Sequence, residues 1–248
     1  MLPESKILLS GRFSAEDINI IGTDTSSRKI VPEIESRLSH VWEENSAAAQ
    51  KAGKLIYDGE SFRLEKAEIV EGKLELTVSK FKYSVRSALV ALAPQLLELG
   101  IEYTGNGLAI GGFIKTTDGK YIFGEKSGKT TSTAKVDFIG GMLEPKVLKD
   151  GKDLIEYNEV EIEEESGIKP EDIESIVITG LIYTPTSNII ILTETNLRIS
   201  SEEVLERFRD NNDGEMTRLI FKNESELVDY VREIGSYKPQ ALELLNNK

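Results

Sequence analysis

Stretches with strand periodicity and stretches with helix periodicity alternate along this 248-residue chain, and this alternation constrains its fold most strongly. Apolar and polar residues alternate over 54–83, where Asp58-Gly59 and Glu71-Gly72 are turn signals, and this predicts two or three antiparallel strands. The same pattern over 108–127 predicts a β-hairpin around Asp118-Gly119. Helical spacing predicts helices between 27 and 53, over 84–100 and over 153–167. The chain is therefore expected to be a mixed α+β protein.

The remaining elements follow from the same patterns. We expect strands over 5–13, 133–145 and 215–223, and two strands over 175–198 around Pro185 and Asn188. Three further helices are expected over 200–210, 224–234 and 237–248. Pro94 predicts a break in the helix that ends at Gly100. Turn-forming residues gather just after this helix, so we expect an N-terminal α+β domain over 1–104 and a second domain over 105–248.

Charge and composition exclude several classes of function. The net charge is −13, which disfavours nucleic acid and anionic membranes as partners. An anionic substrate would need a local positive charge, for which a divalent cation is the obvious source. The chain has no cysteine, so disulfides, thiolate catalysis and zinc–sulfur sites are excluded. It also lacks a signal-peptide pattern and a membrane-spanning apolar stretch, which predicts a cytoplasmic protein.

Six glutamates fall within one predicted helix. Each residue of an α-helix is rotated by about 100° from the one before it. With this spacing, the glutamates form two groups of three on either side of an apolar stripe through Ile155 and Ile162. One group is Glu156, Glu159 and Glu163, and the other is Glu161, Glu164 and Glu165. Like charges this close repel, and anions near a helix C-terminus oppose the helix dipole. The second group would be stabilised by a hard divalent cation such as Mg²⁺, with Mn²⁺ as the alternative, whereas a solvated helix face is the other interpretation.

The same residues resemble the signature of the Nudix hydrolases. That signature has a glycine, a spacer with a glutamate, and a helix that reads Arg-Glu-U-x-Glu-Glu-x-Gly-U, where U is aliphatic. Residues 160–168 read VEIEEESGI and match three glutamates, the glycine and both aliphatic positions, while 140–145 read GGMLEP and match the glycine end. The resemblance covers about 105–248. It implies an α/β/α sandwich with a mixed sheet, preceded here by a smaller α+β domain.

The sequence departs from the signature at three places. Val160 stands where the signature has arginine, and Val147 stands where it has the spacer glutamate. The loop between the glycines and the helix is about five residues too long, which brings Asp150, Asp153 or Glu156 into consideration for the spacer role. Val160 and Val147 favour an alternative in which a Nudix-type module binds a nucleotide without cleaving it.

The resemblance implies roles for individual residues. Glu161, Glu164 and Glu165 would bind Mg²⁺ with the carbonyl of Gly140, and Glu164 or Glu215 would act as catalytic base. Glu144 is a further candidate for substrate binding. For Glu215, a surface-loop role is the alternative.

The N-terminal half resembles the leading region of a eukaryotic Nudix branch that cleaves UDP-glucose and UDP-galactose. The shared features are a tryptophan-bearing helix, an aromatic-x-Gly-x-x-Phe-Arg-Leu stretch and a later tyrosine. Arg63, Tyr83 and Arg86 are therefore candidates for binding a diphosphate or a base, with fold stabilisation as the alternative for each. The resemblance implies a Mg²⁺-dependent diphosphatase whose partner is a small nucleoside diphosphate derivative, such as a nucleotide sugar; it leaves the oligomeric state open. An interaction domain with solvated glutamates is the third interpretation.

Overall fold

The computed structural model describes residues 4–54, 56–128, 134–144, 148–210 and 214–246. Its strands are β1 Lys6–Phe13, β2 Ile18–Gly22, β3 Glu60–Val70, β4 Lys73–Lys82, β5 Gly107–Lys115, β6 Lys120–Lys126, β7 Val136–Asp137, β8 Ile139–Met142, β9 Ile173–Tyr183, β10 Asn188–Leu197 and β11 Met216–Asn223. Its helices are α1 Pro32–Glu35, α2 Leu38–Lys51, α3 Tyr83–Ala91, α4 Ala93–Leu99, α5 Gly151–Ser166, α6 Ser201–Asp210, α7 Glu224–Ile234 and α8 Lys238–Asn246. The mixed α+β class predicted from the sequence is confirmed.

Strand β5 is the centre of a branched mixed sheet. The main path runs β1-β9-β10-β5-β3-β4-β2, and β6 and β8 also pair with β5. The β10–β5 and β2–β4 pairs are parallel, and the remaining pairs are antiparallel. The sheet therefore joins strands from both halves of the chain.

Helices cover both faces of this sheet. Neighbouring residues of β5 point to opposite faces because side chains alternate along a strand. Phe113 packs in a cluster with Leu227 of α7 and Leu244 of α8, whereas Ile114 packs in a cluster with Ile162 of α5 and Val204 of α6. The layers are therefore helix, sheet and helix, as the sequence predicts.

One core cluster is shared between the two predicted domains. Phe13 and Leu76 from the N-terminal segment lie in the same cluster as Leu154 and Ile191. In addition, β1 pairs with β9 over most of its length. The division at 104/105 stays a prediction, since continuous packing crosses it.

Local signals placed most turns and helix ends correctly. Glu71 and Gly72 both have positive φ (51° and 82°) in the β3–β4 hairpin, and Gly167 ends α5 with a φ of 74°. The helix expected before Gly53 is split into α1 and α2, and β2 was not predicted. The stripe on α5 is centred on Leu154 and Ile162, which are buried, while Ile155 is only partly buried beside the core.

Candidate active site

A cavity of about 1030 Å³ lies between the N-terminal helices and the second half of the chain. Its walls come from α2, α3, β8, α5, the residues before β11 and the turn before α8. Six of the predicted site glutamates and glycines line it: Gly140, Glu144, Glu161, Glu164, Glu165 and Glu215. Tyr83 and Arg86 line it as well. The cavity therefore brings together nearly all of the residues that the sequence singled out.

Glu165 is the most deeply placed carboxylate of this group. Its side chain is only 4% exposed, and it accepts a hydrogen bond of 2.8 Å from the backbone N–H of Gly140. The ammonium of Lys126 lies 4.0 Å from its other oxygen. Burial raises the pKa of Glu165 to about 8, because Lys126 and the Gly140 N–H only partly offset the lost hydration and the charges of Glu161 and Glu215 add to it.

Two glycines allow β8 to lie close to its neighbours. A Cβ on Gly140, which has a φ of 144°, would meet the Ile110 carbonyl oxygen of β5 at 2.2 Å. A Cβ on Gly141 would meet Oε2 of Glu161 at 2.0 Å. The glycine pair thus lets the strand approach both β5 and the carboxylate of Glu161.

Glu161 lies one helical turn before Glu165 and faces the same cavity. Burial raises the pKa of Glu161 to about 7, and the charges of Glu164, Glu215 and Glu144 act in the same direction. The nearby hydroxyl of Tyr157 opposes this shift, while it donates a hydrogen bond of 2.6 Å to the Met142 carbonyl oxygen. The site therefore concentrates negative charge, as a cation-binding site would.

The other flank of α5 lies away from the cavity. Glu156 is exposed, Glu159 and Glu163 are partly buried, and none of the three lines the cavity. Two acidic residues near the start of the helix have local roles instead. Asp150 caps α5 by accepting from the N–H groups of Lys152 and Asp153, and Asp153 accepts from the N–H of Lys149. The spacer role considered for Asp150, Asp153 and Glu156 is therefore not supported, because all three lie outside the cavity lining.

No group of three or more histidine, aspartate or glutamate side chains within the described ranges is arranged to hold a metal ion. The glutamates lining the cavity lie close together, but their side chains are not positioned as a metal-coordination site. Their chemistry nevertheless fits a hard divalent cation, since every donor is a carboxylate oxygen. Burial raises the pKa of both Glu161 and Glu165, and the neighbouring carboxylates act in the same direction, so a bound cation would favour their charged forms.

Arg86 supplies a positive charge at the Met142 end of β8. Its guanidinium donates to the side-chain oxygen of Asn188 at 3.1 Å and contacts the sulfur of Met142 at 3.2 Å. Its carbon Cζ lies 5.5 Å from the ring centroid of Tyr83. Among the described residues, Nε of Arg86 has no hydrogen-bond partner and no carboxylate forms an ion pair with the group. This partly buried cation lines the cavity.

Arg63 does not reach the cavity. Its side chain is 3% exposed within β3 and forms an ion pair with Glu65, whose side chain is 5% exposed. Arg63 is absent from the cavity lining, so the structure places it in the fold interior and we leave it out of the groups proposed to bind substrate.

The cavity lining also includes residues that were not among the predicted site residues. Tyr57, which is 65% exposed, donates a hydrogen bond to Glu144, and this contact raises the pKa of Tyr57 to about 12. Lys126, Asp137, Tyr237 and Lys238 also line the cavity. Val147, which stands where the signature has its spacer glutamate, and both ends of the strand expected over 133–145 lie outside the described residues.

Comparisons with known proteins give limited similarity. No protein-family model matches the sequence, and no curated protein matches it either. Among solved structures, a Nudix hydrolase from Nitrosomonas europaea is 16% identical, with a TM-score of 0.36, over 56% of this chain and 87% of that one. The MutT protein from Methanosarcina mazei is 16% identical, with a TM-score of 0.33, over 57% and 96%. A mutant of a Bacillus subtilis pyrophosphohydrolase is 13% identical, with a TM-score of 0.37, over 58% and 83%.

These TM-scores are too low to carry an inference about function, which rests instead on the cavity and its side chains.

None of the helices in the described ranges has the length and apolar composition that a membrane crossing requires.

Proposed function

We propose that this chain is a divalent-cation-dependent hydrolase of the Nudix type that cleaves the diphosphate of a nucleoside diphosphate derivative. The preferred substrate in this proposal is a nucleotide sugar, and the products are a nucleoside monophosphate and a sugar phosphate.

One observation carries the proposal: charges of opposite sign lie at successive positions along β8. Glu165 binds the N–H of Gly140, Glu161 packs on Gly141, and Arg86 contacts Met142. A diphosphate is a chain of linked anionic groups, so it needs positive charge at more than one position. Arg86 provides one such charge directly, and a cation held by the glutamates provides the other.

Glu161, Glu164 and Glu165 would hold the cation, Mg²⁺ or alternatively Mn²⁺, as the sequence resemblance implies for these positions together with the Gly140 carbonyl. When bound, such an ion neutralises diphosphate oxygens and lowers the pKa of the attacking water. Without it, the carboxylates would repel the substrate, because like charges in a partly buried cavity interact strongly.

Residues of the chain would accept the proton of the attacking water and position the diphosphate. Glu164 is exposed at the cavity edge and Glu215 lines it nearby, so either carboxylate can accept the proton of the attacking water. The water oxygen then bonds to phosphorus while the bond to the bridging oxygen breaks, and the leaving phosphate departs with its charge. Arg86 would bind phosphate oxygens throughout, which positions the diphosphate for attack.

Two aromatic rings fit the nucleoside end of such a substrate. Tyr57 and Tyr83 line the cavity on the side that the N-terminal segment builds, and Tyr83 already packs edge-to-face on Trp42 at 5.9 Å. Aromatic rings of this kind stack on nucleobases. The volume of about 1030 Å³ exceeds what a bare diphosphate needs, which supports a substrate with two additional groups.

The test is a panel of nucleotide sugars, ADP-ribose and dinucleoside polyphosphates, assayed with Mg²⁺, with Mn²⁺ and with a chelator. We expect turnover that requires the cation. Glu164→Gln should lower kcat by about a hundredfold or more, as expected for loss of a proton acceptor or ligand. Glu163→Gln is the matched control, because it removes the same charge from the flank that faces away from the cavity.

A second candidate is a nucleotide-binding module without hydrolytic activity. Val160 favours it, because this side chain is 49% exposed beside the glutamates where the resembling signature has arginine. Binding of a panel member without turnover would establish this second function. Absence of both binding and turnover would contradict both candidate functions.

A further inference from the structure

Lys238 is the most deeply buried lysine among the described residues, and the proposed reaction does not use it. Its side chain is 1% exposed, and its ammonium lies 2.9 Å from Oδ1 of Asp137. The same oxygen accepts a hydrogen bond of 2.9 Å from the hydroxyl of Tyr237, and the lysine ammonium lies 4.5 Å from the centroid of that ring. Lysine is rarely buried unless it is paired; here Asp137 is the partner, and both residues line the cavity.

The group formed by Asp137, Tyr237 and Lys238 lies at the opposite end of the cavity floor from Arg86. Asp137 belongs to β7, and the chain continues through Gly140, beside Glu165, to Met142, beside Arg86. At about 3.3 Å per residue, the five steps from Asp137 to Met142 span at most about 17 Å. The carboxylates proposed to hold the cation therefore lie between two further polar groups, one at each end.

The backbone next to Lys238 adopts an uncommon conformation. Ser236 has a φ of 60°, a region that non-glycine residues seldom occupy, and Gly235 before it also has a φ of 60°. Ser236 is exposed and lines the cavity beside Tyr237 and Lys238. Such strain persists only where the surrounding structure maintains it, and it is frequent at binding sites.

The two ends of the cavity differ in net charge. Arg86 has no carboxylate partner among the described residues, so its end favours an anion. At the other end the charges of Asp137 and Lys238 cancel, and the group combines an acceptor, donors and a hydroxyl. A free anion is repelled by Asp137 and a cation is repelled by Lys238. A neutral group with several hydroxyls can donate a hydrogen bond to Asp137 and accept one from Lys238, because each hydroxyl both donates and accepts.

We propose that Asp137, Tyr237 and Lys238 form a subsite for a neutral polyhydroxylated group attached to the diphosphate, such as a hexose or a ribose. This inference rests on the proposed function and places the two substrate ends on either side of the diphosphate: the nucleoside at Tyr57 and Tyr83, and the sugar at Lys238. The alternative is that the three residues only anchor α8 to β7.

Calorimetric binding of two ligands tests the subsite without requiring turnover. The first ligand is a nucleotide sugar, and the second is the methyl ester of the same nucleoside diphosphate, which has the same charge but lacks the sugar hydroxyls. The ratio of their two Kd values measures recognition of the sugar. We expect wild type to prefer the nucleotide sugar, and Lys238→Met to reduce this ratio by about tenfold or more with little change for the methyl ester.

Two further variants serve as a substitute for Lys238→Met and as a control. Tyr237→Phe removes one hydroxyl and keeps the packing, so it decides the question if Lys238→Met does not fold; we expect a several-fold fall in the ratio. Lys222→Met is the matched control, because Lys222 lies 4.6 Å from the Tyr230 ring in a similar contact but does not line the cavity. It should leave both Kd values unchanged.

Equal weakening of both ligands, or no change in the ratio in either cavity variant, would overturn the subsite and leave the anchoring role. The proposed function fails differently: wild type would then show no cation-dependent turnover of any panel substrate. A preference for the nucleotide sugar that is lost in Lys238→Met would still support the subsite in that case.

Discussion

Two glutamates whose side chains have little exposure differ in the direction of their pKa shifts. Glu65 in β3 and Glu165 in α5 are 5% and 4% exposed, respectively. Burial alone would raise the pKa of Glu65, but hydrogen bonds from Ser27, Ser79 and Arg63 outweigh it and hold the pKa at about 2. The pKa of Glu165 is about 8, because burial acts on a carboxylate with one backbone donor and a cation 4.0 Å away.

Burial by itself therefore does not determine the pKa of a carboxylate, because hydrogen-bond donors and neighbouring charges can outweigh it. Glu65 has a full set of donors and is part of the fold. Glu165 lies beside other carboxylates and has one backbone donor and one cation 4.0 Å away, so its charged form is disfavoured and would be favoured by a bound cation. Four measurements test the contrast between Glu65 and Glu165.

The largest effect is expected for Glu65→Ala. This change leaves the guanidinium of Arg63 buried without its partner, which typically costs about 3–5 kcal/mol of the free energy of unfolding. Urea unfolding measures it. Glu68→Ala on the same strand is the control, since its ion pair with Lys66 is solvent-exposed and such pairs contribute about 0–1 kcal/mol. Similar losses for both variants would remove the distinction between the buried and exposed pairs.

The second effect is the contribution of Glu65 to the pH dependence of the free energy of unfolding. Its pKa in the folded protein, about 2, is below the ordinary value of 4.5, so the stabilisation is present above pH 4.5 and is lost as the pH falls toward 2. The difference in unfolding free energy between wild type and Glu65→Gln should shrink by roughly 2–3 kcal/mol between pH 6 and pH 2.5. A difference that does not change with pH would contradict the low pKa.

The third effect concerns Glu165 and is measured by thermal unfolding with and without Mg²⁺. A ligand at a hundred times its Kd stabilises the folded state by about 2.7 kcal/mol. Wild type should therefore melt at a higher temperature with Mg²⁺, and Glu165→Gln should lose most of this gain. Glu163→Gln should keep it. An equal gain in all three proteins would show that the ion binds somewhere else.

The smallest effect is expected for Gly141→Ala. The added Cβ would meet Oε2 of Glu161 at 2.0 Å, and a flexible carboxylate can move aside, so the fold should tolerate the change. Displacing Glu161 from the cation should lower kcat/KM by about tenfold, which corresponds to about 1.4 kcal/mol. Gly22→Ala is the control, because nothing lies within 4 Å of a Cβ at that position. Unchanged activity in Gly141→Ala would contradict a role for the position of Glu161.

Local patterns predicted much of the secondary structure. The Glu71-Gly72 turn, the Asp118-Gly119 hairpin and the end of α5 at Gly167 were predictable because each depends on the conformational preferences of one or two residues. The separation of α5 into two acidic flanks was predictable from helical spacing. The strand β2 was missed, because its five residues carry a weak pattern and depend on pairing with β4.

Long-range contacts account for what could not be predicted at the site. Arg63 and Arg86 are the same residue type in neighbouring elements, yet one pairs with Glu65 in the interior and the other lines the cavity. Nothing in the sequence around Lys238 indicates that it meets Asp137. Such pairings depend on how distant strands and helices pack, and local periodicity carries no information about them.

The mixed α+β class, the group of glutamates on one side of α5 and the glycines that precede it could be predicted from the spacing of neighbouring residues. The packing of distant elements determines which carboxylates lie in the cavity, which arginine reaches it and which lysine is buried at its far end. Those outcomes depend on hydration lost and partners gained between residues far apart in the chain, and these are set when the sheet and its two helical layers pack together.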